Sequence, residues 1–137
     1  MIFVDSNVFM YAVGDPHPLR QSAWDFFDGS YLDGVQLCTS AEVLQELVHA
    51  YLRVRRYDTL DSAMDLVRRY GVEVWPLEQE DVLLARRLHE QHPTLSARDL
   101  CHLASCQRRG IGEMMTFDQA LASAFPNSDE ASHPSAP

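Results

Sequence analysis

The chain begins Met1-Ile2-Phe3-Val4-Asp5-Ser6-Asn7, an apolar run that stops on an acid. A strand buried on both faces reads as a continuous apolar run, and such strands belong to parallel sheets covered by helices. An aspartate closing that strand stands at the carboxyl end of the sheet, where open α/β folds bind their ligands. This one feature predicts a ligand-bearing edge built from strand ends.

The rest of the chain keeps the alternation. Val35–Cys38, Val72–Trp75 and Glu113–Phe117 read as further short strands. Between them lie segments of helical spacing: Leu19, Ala23, Phe26 and Phe27 after the Asp15-Pro16-His17-Pro18 break; a helix capped by Thr39 and running to about Tyr51; Leu60 to Tyr70, ended by Gly71; Leu84, Ala85 and Leu88; and a helix from Ser96 to about Arg109. Strands alternating with helices predict a three-layer α/β/α fold around a small parallel sheet of four to five strands. At 137 residues this is one domain, expected over residues 1–125. From Pro126 the composition turns to Pro, Ser, Asp and Glu with little to bury, and a disordered tail is expected over 126–137.

Composition narrows the function. Cys38, Cys101 and Cys106 are odd in number and lack C-x-x-C spacing, which speaks against a disulfide framework or zinc site and for a reducing, cytoplasmic setting. No apolar run approaches the length of a membrane span. The net charge of −9 runs against nucleic-acid binding unless several carboxylates are gathered around cations. All 11 basic residues are arginine, a side chain suited to gripping phosphate bidentately.

Four acids stand in telling places. Asp5 follows the first strand, and Asp118 follows Met114-Met115-Thr116-Phe117 in the same manner. Asp99 lies in the first turn of a helix, where the Ser96-x-x-Asp99 spacing also fits a capping role. Glu46 borders the apolar arc formed by Val43, Leu44, Leu47, Val48 and Tyr51, whereas Glu42 is accounted for by a Thr39-x-x-Glu42 capping box. Four carboxylates brought together would form a cage for a hard divalent cation, and paired ions of this kind hydrolyse phosphodiesters. There is no H-E-x-x-H arrangement among the six histidines and no persuasive Ser/His/Asp or Cys/His set.

Taken in order, Asp5-Ser6-Asn7, Val43-Leu44-Gln45-Glu46, Asp99-Leu100-Cys101-His102-Leu103-Ala104 and Thr116-Phe117-Asp118 resemble the PIN-domain ribonucleases, and most of all the VapC-type toxins of bacterial toxin–antitoxin pairs. The resemblance covers about residues 1–122. It implies a metal-dependent endoribonuclease in which Asp5, Glu46, Asp99 and Asp118 bind Mg²⁺ or Mn²⁺ and Ser6 and Thr116 support them. It also implies a homodimer and a cognate antitoxin with a basic disordered segment. The family usually adds a fifth short strand after the last acid, but Ala122-Ser123-Ala124-Phe125-Pro126 offers little strand. Two other readings stay open. A non-catalytic PIN-like binding module would keep the fold without turnover. A phosphotransfer domain of the haloacid-dehalogenase or receiver type would also carry an aspartate after strand one, but it normally needs a lysine, and this chain has none.

Overall fold

The computed structural model describes residues 1–125. The expected tail over 126–137 lies outside the described residues. Four short strands, β1 (Ile2–Val4), β2 (Leu37–Ser40), β3 (Glu73–Trp75) and β4 (Met114–Met115), form one parallel sheet in the order β3-β2-β1-β4. The helices are α1 (Ser6–Val13), α2 (Arg20–Leu32), α3 (Ala41–Leu52), α4 (Tyr57–Arg69), α5 (Gln79–Leu88), α6 (Ala97–Arg108) and α7 (Gln119–Ala122). Among the described residues no helix is long and apolar enough to cross a membrane. All three cysteines are free and buried.

The order explains the layers. The chain steps outward from β1 to β2 to β3, then returns across the sheet to β4. Right-handed crossovers therefore put α1–α4 on one face and α5–α6 on the other. Helix contacts agree: α1 packs on α2, α3 and α4, α3 packs on α4, and α5 packs on α6. Phe3, Val4, Leu37 and Cys38 are almost wholly inaccessible because both faces of the central strands are covered. The chain leaves β1 toward one layer and enters β4 from the other. Their carboxyl ends thus flank the switch point, where such sheets open a crevice.

Several boundaries differ from the sequence reading, for local reasons. Residues 6–13, left without an element, form α1, whose first peptide N–H is capped by Asp5 itself. Thr39 does not cap α3. It belongs to β2, and its hydroxyl donates to the Val4 carbonyl at 2.8 Å. Ser40 is the N-cap and accepts from the Val43 amide at 3.2 Å, so the third helical position is Val43 and the Thr39-x-x-Glu42 capping box does not exist. Helices α4 and α6 end on Gly71 and Gly110, with φ of 60° and 70°. In each, the next two amides bond back to the helix, as Gly71 to Arg68 and Val72 to Val67, which closes its free carbonyls. After Asp118 the chain turns into α7, and no fifth strand forms among the described residues. Asp118 takes the free Ala120 and Leu121 amides, and that start favours a helix over a strand.

Candidate active site

The crevice over β1 and β4 is built from side chains that cross it. Asp5 is 5% exposed. Its Oδ1 accepts from the Ser6 amide at 2.8 Å, and its Oδ2 accepts from the Thr116 hydroxyl at 2.7 Å. The neighbouring strand end thereby orients the carboxylate that β1 presents. Asn7 completes the link. Its Nδ2 donates to Thr116 Oγ1 at 3.1 Å, and its Oδ1 accepts from the Phe117 amide at 3.1 Å. The Asp118 amide also donates to Thr116 Oγ1, at 3.0 Å. Thr116 is thus a hub between the two aspartates.

Glu46 reaches the same crevice from α3. Val43, Leu47 and Tyr51 anchor the buried face of that helix, which leaves Glu46 at the border toward the cleft. Its Oε2 accepts from the Ser6 hydroxyl at 2.8 Å, and its Oε1 lies 2.9 Å from His102 Nε2. Ser6 therefore touches both acids, one through its amide and one through its hydroxyl. Arg98 stands 3.9 Å from Glu46 Oε2 at the solvent side.

His102 is not among the site residues the sequence suggests. It sits in α6, is 1% exposed, and packs its ring 5.4 Å from that of Phe3. Asp5 Oδ1 is 4.0 Å from its Nε2, and Glu42 Oε2 is 3.9 Å from its Nδ1. Asp99 and His102 are three residues apart and so share one helix face. That spacing was the available signal. Glu42 is the second omission: with its supposed cap absent, its carboxylate faces the imidazole, and neither Glu42 Oε2 nor His102 Nδ1 has a hydrogen-bond partner.

The electrostatics report crowding. Burial pushes the Asp5 carboxyl above its usual range, against the nearby imidazole and the bonds from Thr116 and Ser6. Burial likewise raises Glu42, with Glu46 adding to it, and raises Asp99, with Asp118 and Glu46 adding to it. Glu46 is the exception. Burial pushes it up, but hydrogen bonds from His102 and Ser6, with the charges of His102 and Arg98, carry it below the usual range. His102 is pulled the other way: burial disfavours its charge, and Glu46, Asp5 and Glu42 together outweigh that and raise it.

Four acids were expected to converge, and the arrangement is graded. Asp5, Glu46 and His102 each offer a ligand atom within 4.8 Å of the others. Asp99 joins through the field it shares with Glu46 and Asp118, as a half-buried carboxylate at the start of α6. Its backbone amide donates to Ser96 Oγ at 3.2 Å. Asp118 is exposed and spends Oδ1 on capping α7. The donors are two carboxylates, one buried and one partly buried, beside a buried nitrogen. Hard oxygen donors of this kind, crowded together with an unpartnered Glu42 oxygen close by, fit a divalent cation.

The PIN domain family profile matches residues 2–124. The chain belongs to the PIN-domain family. Among its relatives, Ribonuclease VapC23 of Mycobacterium tuberculosis is 58% identical over 125 residues, which cover 91% of this chain and 98% of that protein. Ribonuclease VapC13 of the same organism is 39% identical, over 90% of this chain and 94% of that one. The crystal structure of Mycobacterium tuberculosis VapC20, described as a sarcin-ricin loop cleaving toxin, superposes with a TM-score of 0.77 at 19% identity, covering 90% and 95% of the two chains. A toxin–antitoxin complex from Klebsiella pneumoniae superposes with a TM-score of 0.67 at 14% identity, over 92% and 93%. The family match runs from β1 to α7.

Proposed function

We propose that this PIN domain is a Mg²⁺- or Mn²⁺-dependent endoribonuclease acting as the toxin of a toxin–antitoxin pair. The observation that carries the reading is the meeting of Asp5 and Glu46, from β1 and α3, on the two polar groups of Ser6. The names of its relatives as VapC ribonucleases support RNA as the substrate. Asp5 and Glu46 are the central metal-binding acids of the proposal, with Asp99 and Asp118 at the rim. A divalent ion held by Asp5 and Glu46 would supply an activated water and neutralise charge on the leaving oxygen.

The chain's own groups prepare that chemistry. Ser6 and Thr116 fix the two carboxylates by hydrogen bonds to Glu46 Oε2 and Asp5 Oδ2. Asp99 and Asp118 bring negative charge to the open side, where they draw cations and keep bare RNA phosphate out of the cleft without them. Arg98, beside Glu46 and largely solvent-accessible, is placed to meet a phosphate oxygen. The partner is an antitoxin whose basic segment is complementary to this acidic cleft, and the protomer assembles as a homodimer. The free, buried cysteines support a reducing, cytoplasmic compartment.

The test is RNA cleavage by the purified chain with Mg²⁺ or Mn²⁺, with excess EDTA, and with Asp5→Asn and Glu46→Gln. Activity should need the metal and both acids. Cleavage that survives chelation would defeat the metal mechanism, and a well-folded, metal-loaded protein that cuts no RNA would favour the binding-module reading.

A further inference from the structure

We propose that His102 is a positioning residue that holds the Glu46 carboxylate in ligand orientation before any metal arrives. The inference rests on the nuclease reading for its purpose, and on geometry for its substance. Glu46 is pinned at both oxygens by different elements: Ser6 of α1 donates to Oε2 at 2.8 Å, and His102 of α6 meets Oε1 at 2.9 Å. The two helices lie on opposite faces of the sheet. Glu46, on α3, is therefore fixed across the crevice in both reach and rotation. A glutamate has several rotatable bonds, and freezing them costs affinity unless folding has already done so.

The proton on this contact can be assigned. An ionised carboxylate only accepts, so the Nε2 facing Glu46 carries the hydrogen. Nε2 is thus a donor engaged with a ligand oxygen, 4.0 Å from Asp5, and acts on the ion through Glu46. Metal sites regularly depend on outer groups that orient the ligands themselves. Packing alone gives no reason for an imidazole here. Its neighbours in α6, Leu100, Cys101, Leu103 and Ala104, are buried and apolar, and a polar ring in that layer is costly unless its nitrogens are used. Glu42 stands at the far nitrogen, 3.9 Å away, and keeps that edge of the ring polar.

The experiment measures Mn²⁺ binding by calorimetry in the full chain and in His102→Gln and His102→Leu, each first checked for cooperative unfolding in EDTA. The glutamine amide can donate from about where Nε2 stands; leucine cannot. Affinity should fall about 10–100-fold in His102→Leu, the usual effect of losing an outer orienting group, and recover to within a few-fold of the parent in His102→Gln. RNA turnover should follow the metal affinity at subsaturating Mn²⁺, with KM for RNA unchanged. A folded His102→Leu that binds Mn²⁺ as tightly as the parent overturns the proposal, and so does a folded His102→Gln as weak as His102→Leu. Electron spin-echo measurement of Mn²⁺ in the unaltered protein should show no directly coordinated nitrogen, and a directly bound imidazole would overturn it without any variant. A parent that binds Mn²⁺ with this pattern yet cuts no RNA would sink the nuclease reading alone.

Discussion

Removing metal should invert the pH dependence of stability that acidic proteins commonly show. His102 is buried among Asp5, Glu42 and Glu46, and these raise its proton affinity above the ordinary histidine value. A histidine with a raised folded pKa contributes stability that is complete below its unfolded pKa and lost as pH climbs through the folded one. Asp5, Glu42 and Asp99 are also raised, so the folded state holds their protons where the unfolded chain has released them. All four effects point one way: the metal-free protein should become less stable as pH rises. Glu46 opposes them, but its lowered pKa acts only when pH falls into the carboxylate range. The thiols add little below about pH 8, because an ordinary value of 9.0 already keeps them protonated there, and burial raises Cys38 further to about 12 and Cys101 to about 11. One extra proton on the folded state corresponds to about 1.4 kcal/mol per pH unit. Between pH 6.5 and 8 the loss is therefore up to about 2 kcal/mol, or on the order of 1 M in a urea midpoint. Urea unfolding in EDTA across that interval is the assay. Saturating Mn²⁺ should flatten the profile, because bound metal keeps the acids ionised. Stability that stays constant or rises from pH 6.5 to 8 in EDTA would refute the reasoning.

Asp5→Asn should abolish RNA cleavage and, in EDTA, melt no lower than about 1 kcal/mol below the parent, since asparagine also caps a helix and the crowding of acids is relieved; a melt far below that would show that the charge is structural. Glu42→Gln should leave RNA cleavage within a few-fold of the parent while Glu46→Gln removes it, and the reverse pattern in the same assay would mean the wrong face of α3 has been assigned. Asp81 is fully buried, bonded to Arg108 at 2.7 Å and Arg109 at 3.2 Å, so Asp81→Ala should cost about 3–5 kcal/mol in chemical denaturation and spare the metal site. An antitoxin segment whose arginine enters beside Asp5 and Asp99 should bind more weakly as Mn²⁺ rises, by reciprocal linkage, and calorimetry showing unchanged or tighter binding would exclude that competition.

Periodicity and punctuation lie within single elements, and what they decide is visible in the chain. The buried run Ile2–Val4, the apolar arc of α3, the Ser96 cap and the glycine ends of α4 and α6 are each legible there, and they suffice for a parallel α/β sheet. Asp5 is equally legible as an acid on a ligand edge. Helix α1 is hard to read in the chain because Asp5 both ends a strand and caps the helix that follows at once. The roles of Glu42, Glu46 and His102 needed tertiary structure. Glu42 appeared to be occupied by a capping box, yet a shift of one residue in the cap, from Thr39 to Ser40, undoes that box and leaves the carboxylate beside an imidazole 60 positions away in the chain. His102 reads as one more residue on a buried helix face. Only the return of the chain from β3 across the sheet to β4 brings α6 opposite α3, and only there does its Nε2 meet Glu46. Local sequence sets which face of a helix is apolar. Which acid faces which base across a crevice depends on strand order and crossover hand, and those are properties of the whole sheet.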